Sequence, residues 1–233
     1  MYALIIAGGE GERLRPLTDD RPKNMVPVAG RPIVDHQLDW LREGGVTNVV
    51  FLCRYKAEVL QAHVDDGSKF GIRAHYSIEP EPLGRGGALK LASALVPADA
   101  PLVIACNGDI LTDQPLADLI AFHQGKRAVA TIMLTPLRSP YGIVDVADDG
   151  LIQSFVEKPL LPHWVNAGVY VFSREFFALL PEKGDHETTA FPAVTALFKL
   201  FGLKSHAYWR PVDSIKDISE AEKELAGLVR SDR

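Results

Sequence analysis

Apolar positions along the chain fall into short unbroken runs separated by stretches of helical spacing. Leu4, Ile5 and Ile6 form the first run, with no polar alternation, which predicts a central strand covered on both faces. Val34, Leu38 and Leu41 then recur at helical spacing between Pro32 and Gly44-Gly45, which predicts a helix started by the proline and stopped by the glycines. The alternation continues with a strand over 49–53, a helix over 57–64, a strand over 72–78, a glycine-rich turn, a helix over 88–95 and a strand over 102–106. Such a pattern predicts an α/β fold, doubly wound about a mostly parallel sheet with helices on both faces.

From Val129 the pattern changes. Three strand-like runs, 129–134, 143–146 and 152–156, follow one another closely, and Asp149-Gly150 predicts a hairpin turn between the last two. Helices are expected over 174–180, 191–201 and 217–229, with a strand near 207–209. No repeat, low-complexity stretch or Gly-, Ser- or Pro-rich linker divides the chain. The expectation is therefore a single domain over 1–233, with one half to about 125 and a second from about 126.

Composition narrows this picture. A chain of 233 residues that is 47% hydrophobic can bury one sizeable core. The net charge is −5, so no basic surface is expected for nucleic acid or acidic membranes, and cationic function must be local. Cys53 and Cys106 each end an apolar run and read as reduced core residues of a cytoplasmic protein. No apolar run approaches the roughly 18 residues of a membrane span, and no basic segment precedes the first one, so neither membrane insertion nor secretion is expected.

Chemistry concentrates after the first strand. Ala7 is followed by Gly8, Gly9 and Gly11, which let the backbone take positive φ and let its N–H groups approach an anion. Arg13, Arg15, Arg21 and Lys23 supply nearby cations. A dinucleotide fingerprint would need a glycine where Leu14 stands, and the Gly-Lys-Ser/Thr of a P-loop is absent. His186-Glu187 imitates the start of a zinc-protease helix without its second histidine, and no Gly-x-Ser-x-Gly elbow occurs.

The block from Ala3 to Pro32, with Gly8-Gly9-x-Gly11-x-Arg13-Leu14-x-Pro16-Leu17-Thr18 followed by Pro22-Lys23, resembles the signature of sugar-1-phosphate nucleotidyltransferases. Asn24 stands where that family has a second proline. The resemblance extends to about residue 224 and implies a Rossmann-like, GT-A-like core of three α/β/α layers, without the C-terminal β-helix that many relatives carry. It implies an enzyme that joins an NTP to a sugar 1-phosphate and releases pyrophosphate, with Arg13 and Lys23 acting on the phosphates. Asp109, in Asn107-Gly108-Asp109 after the strand over 102–106, is implied as a ligand of catalytic Mg²⁺. Asp213, after Trp209-Arg-Pro-Val, is implied as the second ligand, although the spacing is one residue longer than usual and Ile215 replaces a glycine.

Other segments carry the same resemblance. Glu79-Pro-Glu81-Pro-Leu-Gly84-Arg-Gly86-Gly87 resembles the loop that receives the nucleotide base, in the form familiar from guanylyltransferases. A carboxylate can accept both N1–H and N2–H of guanine but cannot donate to a uracil carbonyl. Glu81 is therefore the expected base reader, with Glu79 and the loop backbone as the other candidates. Tyr141-Gly142, Glu157-Lys158-Pro159 and Asn166-Ala-Gly-Val-Tyr170 resemble the sugar-phosphate side, with Glu157 accepting from sugar hydroxyls and Lys158 meeting the phosphate. The implied substrates are GTP with mannose or heptose 1-phosphate. UTP- or dTTP-dependent transfer and a silent regulatory subunit are the alternatives, a dehydrogenase is disfavoured by the missing glycine, and a homo-oligomer is left open.

Overall fold

The computed structural model describes residues 1–231. Its first half contains β1 (Tyr2–Ile6), β2 (Pro27–Val28), β3 (Arg31–Pro32), α1 (Ile33–Glu43), β4 (Asn48–Cys53), α2 (Ala57–Val64), β5 (Arg73–Ile78), α3 (Gly84–Ala92), β6 (Leu102–Asn107), β7 (Ile110–Thr112) and α4 (Leu116–Lys126). Its second half contains β8 (Ala130–Arg138), β9 (Ile143–Val146), β10 (Ile152–Val156), β11 (Leu160–Ser173), α5 (Ala190–Ala196), β12 (Leu200–Lys204), β13 (Trp209–Pro211) and α6 (Ile215–Ser231). A seven-stranded sheet runs in the order β12-β8-β11-β6-β1-β4-β5. Only β11 is antiparallel to its neighbours in that sheet.

Alternate residues of the central strands feed two cores. Ala3, Ile5, Val49 and Phe51 pack with α1, α2 and α4 on one face, whereas Leu4, Val50, Leu52 and Val103 pack with α3 and α5 on the other. Strands covered on both faces have no polar side to display, which is why their sequence runs are continuous. A third, smaller cluster joins Leu14, Val26, Val28, Ile33, Leu111, Val212 and Ala221. It ties the glycine loop and α6 to the carboxyl end of the sheet.

Several elements differ from the sequence expectation. The helix over 191–201 stops at Ala196, because Phe198 takes φ 54° and is 88% exposed, and the chain re-enters the sheet as β12 beside β8. The apolar spacing of Phe191, Val194 and Leu197 suits a helix, but only its first half is buried. The segment 160–173, read only as a sugar-side motif, is the 14-residue β11. Helix α4 and strands β2, β3 and β7 were not anticipated, and the strand near 207–209 lies at Trp209–Pro211. Helix α3 begins at Gly84, so the second glycine-rich turn is itself the first turn of the helix. The segment 174–179 is a 3₁₀ helix.

Candidate active site

Loops at the carboxyl ends of β1 and β6 form the site, where an open α/β sheet leaves a crevice. Ala7 still donates to Leu52 O at 2.9 Å, after which the chain leaves the sheet. Of the three loop glycines, only Gly11 takes positive φ, at 65°, and a Cβ there would stand 3.0 Å from Thr18 and 3.2 Å from Lys23. A Cβ on Gly8 would lie 2.9 Å from Glu79 Oε1. Leu14 is fully buried in the third cluster, so its neighbour Arg13 is turned outward, with a side chain 73% exposed. In the 3₁₀ turn Lys23–Met25, Asn24 and Met25 are buried.

Asp109 and Asp213 converge on one point. Gly108 donates to Ile6 O at 2.9 Å, and a Cβ at Gly108 would stand 2.7 Å from that oxygen, so the crossing next to Asp109 requires glycine. Asp109 O accepts from Val212 N at 2.9 Å, which brings Asp213 alongside. Lys23 Nζ then lies 2.6 Å from Asp109 Oδ2 and 2.5 Å from Asp213 Oδ1, and the Arg13 guanidinium is 2.8 Å from the same Asp213 oxygen. Burial alone would raise the Asp213 pKa, but the Lys23 hydrogen bond and the charges of Lys23 and Arg13 hold it below the usual carboxylate value. Ser214 Oγ accepts from Asp217 N and so serves as the α6 cap, which leaves the Asp213 carboxylate to the cluster.

This donor set fits a divalent cation of the magnesium type. Two carboxylate oxygens already face a single cationic centre, and among the described residues no group of three or more His, Cys, Asp or Glu is placed to hold a metal. Magnesium is commonly held by one or two carboxylates, with phosphate oxygens completing the shell.

Beside this cluster opens a cavity of about 220 Å³, lined on one side by Gly8 and Gly9 and on the other by Arg54, Glu79, Gly84, Arg85 and Asp185, among others. Glu79 N donates to Cys53 O at 2.9 Å, extending the β4–β5 ladder, and Glu79 Oε2 accepts from Leu83 N at 3.0 Å. Its Oε1 is the oxygen facing Gly8. Glu81 is placed differently: it lies outside the cavity lining, its side chain is 62% exposed, and it pairs with Lys183 at 3.2 Å. The chain has left the β4–β5 ladder by that position, which separates Glu81 from Glu79 and from the cavity lining where the sequence reading expected it.

Backbone N–H groups of the second glycine turn, whose loop was a candidate base reader, are used internally. Gly86 and Gly87 donate to Gly184 O, and Arg85 N donates to Asp185 Oδ1. A Cβ on Gly86 or Gly87 would come within 2.8 Å of Gly184 O or 2.5 Å of Glu182 O, so this contact depends on bare backbone. Arg85 also pairs with Glu187 at 2.7 Å. The adjoining His186 is fully buried against Tyr170, Phe172 and Phe191; its Nδ1 lies 3.1 Å from Glu187 Oε2, but neither ring nitrogen makes an aligned hydrogen bond. Burial, with the Arg85 charge, pushes its pKa down to about 4. As pH falls below the ordinary histidine value of about 6.5, the unfolded chain takes up a proton that folded His186 refuses until about 4, so stability drops across that window. His186→Phe is expected to remove that component, at most about 3 kcal/mol, so that urea midpoints measured from pH 7 to 4.5 fall less steeply than in the wild type. Parallel profiles would refute this.

On the other side, Gly142 packs beneath Phe155 and Glu157, where a Cβ would stand 2.6 Å from Phe155 and 3.0 Å from Glu157 Oε2. Glu157, Lys158 and Tyr141 are exposed, and Arg138 holds Lys158 O at 2.8 Å. The Asn166 amide is occupied within the fold, donating to Tyr170 Oη at 3.0 Å and accepting from Gly168 N at 2.8 Å. Asn107 lies at the end of β6, and its backbone carbonyl accepts from Gln37 Nε2 at 2.8 Å. Arg54, Arg85 and Asp185 were not anticipated. Arg54 directly follows an apolar run, and ligands of such sheets bind beyond the carboxyl ends of strands, so its place was open to reading, whereas nothing in the sequence pairs 185 with 85.

Comparison with known proteins agrees with this architecture. The profile of the Nucleotidyl transferase family matches residues 2–227. Mannose-1-phosphate guanyltransferase of Pichia angusta is 37% identical over 227 residues, covering 93% of this chain and 62% of that protein, so the chain spans under two thirds of that relative's length. HddC from Yersinia pseudotuberculosis superposes with a TM-score of 0.76 at 26% identity, covering 96% of this chain and 99% of HddC, and has also been solved with GMP-PN. A putative glucose-1-phosphate thymidylyltransferase from Bacillus anthracis shares the fold, with a TM-score of 0.77 at 18% identity over 96% of this chain and 94% of that one. With the glycine loop, the Lys23 cluster and a family profile matching almost end to end, the chain belongs to the Nucleotidyl transferase family.

Proposed function

We propose that the chain transfers a guanylyl group from GTP to a hexose or heptose 1-phosphate, releasing pyrophosphate. The observation that carries this reading is the placement of Lys23 between Asp109 and Asp213, with Arg13 on the same carboxylate, beside the glycine loop. Four charged side chains from distant segments meet where phosphates would lie. A sugar phosphate oxygen attacks the α-phosphorus while the bond to the pyrophosphate oxygen breaks in line, and no covalent enzyme intermediate is needed. Asp109 and Asp213 would hold Mg²⁺, which would supply neutralisation of charge on the phosphates. Arg13 and Lys23 orient the triphosphate and stabilise the charge that moves onto the leaving pyrophosphate. Glu157 and Lys158 receive the sugar phosphate.

Support for guanine comes from the named guanyltransferase relative, from HddC bound to GMP-PN, and from Glu79. With Oε2 held by Leu83 N, Glu79 presents Oε1 to the cavity as an acceptor without a donor of its own. That suits guanine N1–H or N2–H and opposes a uracil carbonyl. Pyrophosphate release from five NTPs against a panel of sugar 1-phosphates tests the reading. GTP is expected to exceed UTP by about tenfold or more in kcat/KM, a preference that Glu79→Gln lowers and Glu81→Gln does not. No pyrophosphate from any pair would overturn the reading. A UTP preference would overturn only the guanine assignment.

A further inference from the structure

Between the glycine loop and the end of β6 lies a small cavity of about 60 Å³, walled by Gly9, Lys23, Asn24, Gly108 and Asp109 among others. That is above the roughly 10–15 Å³ that one water molecule needs. Asn24 is only 2% exposed, yet neither its Nδ2 nor its Oδ1 has a hydrogen-bond partner. It caps nothing: the 3₁₀ turn that contains it has no side-chain cap. A buried amide unpaired at both ends destabilises the fold, and such groups in native proteins call for a partner, often a functional one. The related Pro-Lys-Pro motif avoids the problem with a proline at this position, so the amide belongs to this chain's own version of the site.

We propose that Asn24 is a nucleotide-binding residue, whose Nδ2 donates to a phosphoryl oxygen that enters this cavity when the triphosphate binds. The inference rests on the nucleotidyl-transfer reading above. The wall chemistry favours a phosphate: Lys23 is cationic, the cavity is too small for a base, and phosphoryl oxygens are acceptors that need donors. Lys23 Nζ uses two of its three N–H donors on Asp109 and Asp213, so the amide adds donors to the one the lysine has left for a phosphate. The free protein carries an unpaired Nδ2 donor, which the complex pairs. Removing it therefore acts in opposite directions on the two states.

The test uses Asn24→Leu, close in size and without polar atoms, and Asn24→Ala as the second variant. Thermal unfolding of the free proteins is compared with calorimetric binding of GTP plus Mg²⁺ and of guanosine. The expected result is an unfolding temperature equal to or above the wild type, GTP binding weaker by about tenfold or more, as for one hydrogen bond to a charged group, and guanosine binding unchanged. A smaller loss of GTP affinity, equal weakening of GTP and guanosine, or destabilisation of both free variants would overturn the inference in favour of a structural role. Wild-type protein that binds no NTP would sink the nucleotidyl-transfer reading and this inference with it, whereas tight wild-type binding that both variants retain sinks the inference alone.

Discussion

Asp109→Asn is expected to lower nucleotidyl transfer by about 10³-fold or more, with the fold unchanged. Asparagine keeps the size of the side chain and can still accept from Lys23, while the backbone anchor, Asp109 O to Val212 N, is untouched. What disappears is one of two negative charges facing a single cationic centre. A site left with Asp213 alone holds a divalent cation less tightly, and raising Mg²⁺ should recover part of the loss. Pyrophosphate release over a Mg²⁺ titration, alongside a melting curve, measures both quantities. Undiminished turnover in the variant would remove Asp109 from the mechanism.

Arg13→Ala is expected to reduce kcat by about 10³ while the KM for GTP changes little, as for an arginine that meets charge developing in the transition state. The structure separates this from a folding effect. Its side chain is largely exposed, and its ion pair with Asp213 is of the surface kind that contributes about 0–1 kcal/mol to stability. Leu14, fully buried next to it, holds the loop in place without it. A thousandfold loss of rate corresponds to about 4 kcal/mol of barrier, so rate and stability should part clearly. A change confined to KM would instead make Arg13 a ground-state binding residue.

Apart from the two-residue strands β2 and β3, the order of strands and helices through residue 106 was legible because burial imposes its period locally. Ala3 and Ile5 face one core and Leu4 the other, and a strand covered twice must be apolar throughout. The roles of Lys23 and Asp109 were named from the resemblance, and the glycines beside them were legible for a related reason. Gly11 needs positive φ and Gly108 needs a bare Cα, and both constraints fall on the residue itself. Asp213 could be named from its resemblance to a motif, although its meeting with Asp109 depends on a backbone hydrogen bond between segments far apart in sequence.

Where a residue's role depends on which distant segment it touches, the sequence by itself was silent. Glu79 and Glu81 have the same chemistry, but only Glu79 still lies on the β4–β5 ladder, and that one hydrogen bond to Cys53 O turns it towards Gly8. The reversed direction of β11 leaves no trace in hydrophobicity, since a buried strand is apolar whichever way it runs. The apolar spacing of 191–201 suited a helix, and the open edge beside β8 took its last two residues, Leu200 and Phe201, as the start of a strand. Local periodicity thus determined which segments would form the central strands and the helices that cover them, while β9 and β10, read from the same kind of run, lie exposed. The tertiary structure decided strand order, the clamp of Gly184 on α3 and the side chains that meet at the cavity, because those contacts exist only once segments remote in sequence are packed together.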